Sequence, residues 1–225
     1  MKVAFSCKLE QTSGKQKFAV RLAEAFRRIR VKVTDRKPDV NLVFVKGLRK
    51  DCPNIMRLDN AWINNKINSK GKNLKINSTL KRCKAAIYQG HYSKLVCDKF
   101  IGKAKGKTAI IPNGCNTTEF DSCSKFVQDR PYVLAFSRWR PHKRLETIVN
   151  GFLASSLKKD YDLIVCGDPD FVSKDKSVIY LGKQNTEAID GLILGCSFVS
   201  HLAFMDCCPN SVVESLVCGK NILYT

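Results

Sequence analysis

Short runs of β-branched and aliphatic residues alternate along the whole chain with stretches in which apolar side chains return every three or four positions. The first kind of run predicts buried strands and the second predicts amphipathic helices. In the first half, strands are expected at 2–6, 31–34, 40–45, 55–58, 84–88 and 107–111. The clearest helix covers 15–29, where Phe18, Leu22, Ala25, Phe26 and Ile29 form one apolar stripe. Another covers about 92–101, with Leu95, Val96 and Phe100 expected to face inward. After Pro112-Asn113-Gly114 the pattern lapses into polar residues through Asp129 and restarts at Tyr132. The second half then reads as strand 131–136, helix 143–157, strands 161–166 and 177–181, helix 185–194, strand 196–200, helix 209–218 and strand 221–224.

This alternation predicts βαβ units and parallel sheets, hence an α/β protein. The polar lapse divides the chain into two expected Rossmann-like, doubly wound domains, 1–125 and 126–225, facing each other across a cleft. In such sheets ligands sit at the carboxyl ends of the strands. A hydrophobic fraction of 44% and a charged fraction of 26% are enough to bury a core and argue against disorder. No apolar run approaches the roughly 18 residues of a membrane span, and the opening segment is too short for a signal peptide, so the expected compartment is the cytoplasm. Eleven cysteines, an odd number with no CxxC, and three histidines suggest reduced thiols rather than a disulfide framework or a zinc site.

Charge changes the picture more than composition does. Residues 1–125 hold 28 Lys and Arg against 9 Asp and Glu, while residues 126–225 hold 11 of each, so the whole net charge of +19 belongs to the first half. Such a field is either a solvated lysine-rich surface or an attractor for an anionic partner. The basic residues are dispersed, with no helix-turn-helix signal and no RNA-binding motif, which makes nucleic acid an unlikely partner. Peripheral contact with an anionic membrane is compatible, although no helix reads clearly as amphipathic with flanking lysines.

Two segments could carry chemistry. Ser137-Arg138-Trp139-Arg140-Pro141-His142-Lys143-Arg144 follows a strand and opens a helix. Cations beside a helix N-terminus can hold a diphosphate, though ordinary surface bases would look the same. In Met205-Asp206-Cys207-Cys208-Pro209-Asn210-Ser211-Val212-Val213-Glu214, a helix begins near Pro209. Its first N–H groups, around Asn210, Ser211 and Val212, are candidates for phosphate. Glu214 is either a ribose-binding carboxylate or a solvated one favoured by the helix dipole.

Taken in order, Ile111-Pro112-Asn113-Gly114, Arg138 with Lys143, Asp206 followed eight residues later by Glu214, and Glu214-Ser-Leu-Val-Cys-Gly219 resemble the donor site of the retaining glycosyltransferase family four. That family has the GT-B fold, and short members of similar phrasing are associated with large DNA viruses. The resemblance implies that Arg138 and Lys143 neutralise the donor diphosphate and steady it as it leaves, without a metal or other cofactor. It also implies that Glu214 holds the ribose and that Asp206 contacts the transferred sugar. In the first half it makes Gly14 part of the loop near the donor and Asp59 the best candidate for a polar catalytic contact, with His91 as a further possibility near the acceptor.

The match has departures. Asp206 replaces a glutamate, Ser137 a glycine and Asn221 a proline, and the chain stops at Thr225 where family members usually continue, which suggests a shortened C-terminal domain. The function expected from the resemblance is transfer of a sugar, with retention, from a UDP or GDP donor to a hydroxyl on a glycan, lipid or protein. The alternative is a catalytically inactive binding protein of the same fold that docks on an anionic partner through its basic half.

Overall fold

Strands form where the apolar runs predict them. The computed structural model describes residues 1–10, 14–63 and 68–225. The chain separates into two units, Met1–Gly114 and Cys115–Thr225.

In the first unit, β1 (Lys2–Phe5), β2 (Lys32–Val33), β3 (Val40–Val43), β4 (Asn54–Leu58), β5 (Ala85–Tyr88) and β6 (Lys107–Ile110) form one parallel sheet in the order β2-β1-β3-β4-β5-β6. Helix α1 (Gly14–Arg28) links β1 to β2 in one direction along the sheet. Helices α2 (Ser69–Leu80) and α3 (His91–Phe100) link β4, β5 and β6 in the other. Right-handed crossovers therefore put α1 on one face and α2 and α3 on the opposite face. The two cores follow the alternation of the strands. Val3, Leu42 and Phe44 pack with Ala19, Phe18 and Leu22 of α1. Val43, Met56 and Tyr88 pack with Ile76 and Leu80 of α2 and Cys97 of α3.

Helix α2 has no apolar stripe, and periodicity alone does not reveal it. Only Asn73, Ile76 and Leu80 are buried. Its start is set by polar chemistry instead. The Asn68 side chain accepts the Gly71 N–H at 2.7 Å. The Asn73 amide brackets the Trp62 backbone, accepting from its N–H at 2.9 Å and donating to its carbonyl at 2.8 Å. On α3, Val96 and Cys97 are buried but Leu95 and Phe100 point outward, contrary to the expectation that both face the core. Ser93, Val96 and Cys97, with Ile101 just beyond the helix, form the buried face, and the small Ser93 is inward where Leu95 was expected.

In the second unit, β7 (Tyr132–Phe136), β8 (Asp162–Cys166), β9 (Val178–Gly182), β10 (Phe198–His201) and β11 (Asn221–Tyr224) form a parallel sheet in the order β11-β10-β7-β8-β9. Helices α4 (Leu145–Ala154), α5 (Thr186–Gly195) and α6 (Asn210–Val217) connect them. All five positions of both β7 and β8 are buried, which explains the apolar runs Tyr132–Phe136 and Leu163–Cys166, while Asp162 at the start of β8 is paired with Arg130. Residues 115–125, which the polar lapse assigns to the first domain, pack in this unit. Phe120 belongs to its core, and the Phe126 N–H donates to the Gly191 carbonyl at 3.0 Å. A side chain at Gly195 would come within 2.1 Å of the Phe126 carbonyl, so only glycine lets the segment lie against α5.

All eleven cysteines are free thiols. Among the described residues, no helix is long and apolar enough to cross a membrane.

Candidate functional site

The loop after β7 is pinned from within. Trp139 is buried and its indole N–H donates to the Cys166 carbonyl at the end of β8, at 2.9 Å. Gly167 follows with φ of +107°, and a Cβ there would lie 2.0 Å from the Ser137 carbonyl. Glycine is required by both conformation and space. With Trp139 turned in, Arg138 on one side and Arg140 on the other are left exposed. Arg138 makes no hydrogen bond or ion pair among the described residues. A 3-10 turn, Pro141–Lys143, carries Lys143 toward the next loop. The Phe204 N–H donates to the His142 carbonyl at 2.7 Å and ties the two loops together.

Beyond β10, Asp206 is the centre of a connected cluster. Lys143 donates to its Oδ2, and His201 Nε2 lies 3.1 Å from the same oxygen. The other ring nitrogen of His201 is 3.3 Å from Ser211 Oγ, at the start of α6. The imidazole stacks on Tyr224, with ring centroids 5.8 Å apart, and the Tyr224 hydroxyl donates to the Asp206 carbonyl at 3.0 Å. Burial raises the Asp206 carboxyl pKa, but the His201 hydrogen bond and the Lys143 charge outweigh it, so the group lies below the ordinary carboxylate range. At His142, burial and then the Lys143 charge depress the imidazole.

Helix α6 starts at Asn210, with Pro209 as its N-cap, a residue whose side chain cannot accept a bond from the first turn. The Val212 N–H turns back to the Pro209 carbonyl at 3.1 Å. Glu214 is buried in the second turn, next to Ser215, whose hydroxyl donates to the Ser211 carbonyl at 2.7 Å. Arg138, Lys143, Asp206, Asn210, Ser211, Val212 and Glu214 thus all lie on two loop-to-helix segments at the carboxyl ends of β7 and β10, the central strands of this sheet. The sequence singles out neither His201 nor Tyr224, because a lone histidine and a terminal tyrosine carry no spacing signal.

The first unit holds a second polar cluster at the carboxyl ends of β4 to β6. Arg57 is 3% exposed, with its guanidinium carbon 3.7 Å from the centre of the Phe18 ring. It donates to Asp59 and to Asn113. Gln89 donates to Asp59 Oδ1 at 2.8 Å, and the Ser93 hydroxyl donates to the Asp59 carbonyl at 3.3 Å. The carboxylate is therefore held on one side by a buried cation while its side chain remains 39% exposed. Gln89, the carboxylate's other partner, comes from a segment that the sequence offers only as a strand end, whereas Asn113, the second partner of Arg57, belongs to the Ile111-Pro112-Asn113-Gly114 phrase. His91 is exposed at the first position of α3. Gly14 is the first residue of α1, and residues 11–13 of the expected loop lie outside the described residues.

No protein-family model matches the sequence, and a search among curated proteins finds no match. Solved structures do match. Anabaena HepE in complex with UDP-glucose superimposes with a TM-score of 0.71 at 16% identity, covering 100% of this chain and 80% of that one. Sucrose-phosphate synthase from Thermosynechococcus elongatus gives 0.67 at 13% identity, covering 97% of this chain and 63% of that one. An α-glucosyltransferase in complex with UDP and a 13-mer DNA gives 0.70 at 10% identity, covering 99% and 79%. The fold is that of the GT-B glycosyltransferases, built here from two parallel, Rossmann-like units.

Proposed function

We propose that the chain is a retaining glycosyltransferase of family four that moves a sugar from a nucleoside diphosphate donor to an acceptor hydroxyl without a metal or other cofactor. The observation that carries this reading is the arrangement in the second unit. An exposed Arg138 with no hydrogen bond or ion pair among the described residues, a Lys143–Asp206 ion pair and the start of α6 behind Pro209 all lie at the carboxyl ends of adjacent strands. An anion placed there gains both the cations and the partial positive charge of the helix N-terminus.

The chemistry asks for that electrostatic pattern. When the bond from the anomeric carbon to the donor oxygen breaks, its electron pair leaves with the diphosphate, and fixed cations stabilise the charge that develops. The acceptor oxygen forms the new bond and releases its proton. In this reading Arg138 and Lys143 hold the diphosphate, Glu214 binds the ribose, Asp206 contacts the transferred sugar, and Asp59 serves the acceptor side. Neighbours of the same fold solved with UDP-glucose or UDP support a uridine nucleotide as the first donor to try, with GDP-sugars next.

The test is turnover of a panel of UDP- and GDP-sugars by the purified protein, followed as release of the nucleoside diphosphate. Activity that disappears in Arg138→Ala with Lys143→Ala supports the site; undiminished activity in that double variant removes it. Retention is read from the anomeric configuration of the product by NMR.

A further inference from the structure

Over residues 1–114 there are 27 Lys and Arg against 7 Asp and Glu, whereas residues 115–225 carry 12 against 13. Between Asp59 and Glu119 the sequence has twelve basic residues and one acid, Asp98, which is engaged with Lys94.

The fold gathers these cations on one edge of the first unit. Each helix runs back against the strands, so the loops that leave the helices collect at the amino-terminal ends of the strands, opposite the end that carries Asp59. Arg30 and Lys32 stand there after α1, Lys84 after α2, and Lys103, Lys105 and Lys107 after α3. The ladder aligns them. Lys2 is in register with Lys32, Ala85 with Lys107, and the Lys84 N–H donates to the Asn54 carbonyl at the start of β4, at 2.8 Å. Neighbouring strands lie about 4.8 Å apart, within the Debye length of about 8 Å at physiological salt, so cations on adjacent strands add their fields.

A helix dipole accounts for Arg27 and Arg28 in the last turn of α1 and for Lys99 in that of α3. It does not account for the loops. None of Arg30, Lys32, Lys84, Lys103, Lys105 and Lys107 makes an ion pair among the described residues. The carboxylates on this edge offset only part of their mutual repulsion, because Asp39 accepts the Lys2 N–H at 2.7 Å and Asp35 and Asp51 are paired with Arg49. Bulky apolar side chains stand out of the same field. Ile29, between Arg28 and Arg30, is 67% exposed, and Phe100, beside Lys99, is 40% exposed. A sugar-phosphate backbone offers such side chains little, whereas the boundary between lipid headgroups and acyl chains removes them from water.

We propose that this edge of the first unit is a docking surface for an anionic lipid membrane. Cations supply the attraction, Ile29 and Phe100 enter the interface, and the carboxyl ends of the strands stay clear of the lipid. The proposal stands independently of sugar transfer by the second unit.

The experiment is co-sedimentation of the full chain with vesicles of phosphatidylcholine alone and vesicles that also contain phosphatidylglycerol. Binding is expected only to the anionic vesicles, weakening as salt rises. Lys84→Ala with Lys107→Ala should lower the partition coefficient about 30-fold, at about one kcal/mol per basic residue near an anionic surface. Lys8→Ala with Lys46→Ala removes the same charge from exposed positions near the other end of the sheet and should leave binding nearly unchanged. Circular dichroism checks that both variants fold. No binding to anionic vesicles, an equal loss in the two variants, or tighter binding to duplex DNA than to the vesicles at the same ionic strength would overturn the proposal.

Discussion

Arg138 and Lys143 carry the same formal charge in different electrostatic states. Lys143 is already compensated by Asp206, whereas Arg138 has no partner among the described residues. In the proposed donor site a diphosphate would therefore compete for Lys143 but not for Arg138. Arg138→Ala should weaken UDP binding about tenfold to a hundredfold, the range for loss of a charge-assisted hydrogen bond, and Lys143→Ala should weaken it less. Isothermal titration of the two single variants decides this, and the reverse order would show that the ion pair opens at little cost. Asp206 makes a second prediction. Its folded-state pKa is depressed, so its ionised form stabilises the fold. That contribution is present above the unfolded value of about 4 and is lost as pH falls through the lower folded value. Asp206→Asn should thus flatten the acid limb of a plot of thermal midpoint against pH. In the core, burial pushes the Cys166 thiol up to about 12, so it should resist alkylation in the native protein and react only on unfolding.

At the scale of elements, the strands were legible because burial on one or both faces leaves an apolar run that turn residues interrupt. Helix α1 was legible for a related reason, since Phe18, Leu22 and Phe26 pack against one core, although Ala25 and Ile29, expected on the same stripe, are exposed and Ile29 lies past the end of the helix. Helix α2 was not, because it rests on the Asn68 cap and the Asn73 clasp rather than on periodicity. Asn68→Ala should destabilise the protein by about 1 kcal/mol, measurable by urea denaturation. The site shows the same divide. The loop-to-helix phrases around Arg138 and Glu214 stand in the sequence as contiguous motifs. The His201–Asp206–Lys143 cluster and the Arg57–Asp59–Gln89 cluster join residues that only the parallel sheets bring together. Gly167 connects the levels. Its positive φ and its contact with the Ser137 carbonyl fix the loop that presents Arg138. Gly167→Ala should displace that loop, lowering donor affinity as well as stability.

For the whole molecule, the uneven charge is the feature with the widest consequence. One unit carries a large positive excess beside a nearly neutral one, so folding of the first works against its own field. Added salt screens that repulsion, and the thermal midpoint should rise between low and physiological ionic strength. A flat or falling midpoint would mean that the surface cations are too far apart to matter. The likeness to GT-B enzymes extends over the whole chain at low identity and shows the fold, so the proposed donor site has to be tested on the second unit's own residues. Titration of the wild-type protein and of Arg138→Ala with Lys143→Ala against UDP and GDP, followed by thermal shift, tests that assignment most directly. A nucleoside diphosphate that binds only the native state should raise the wild-type midpoint in proportion to its concentration and leave the double variant unmoved. Equal shifts in both proteins, or no shift with either nucleotide in the wild type, would contradict the donor site described here.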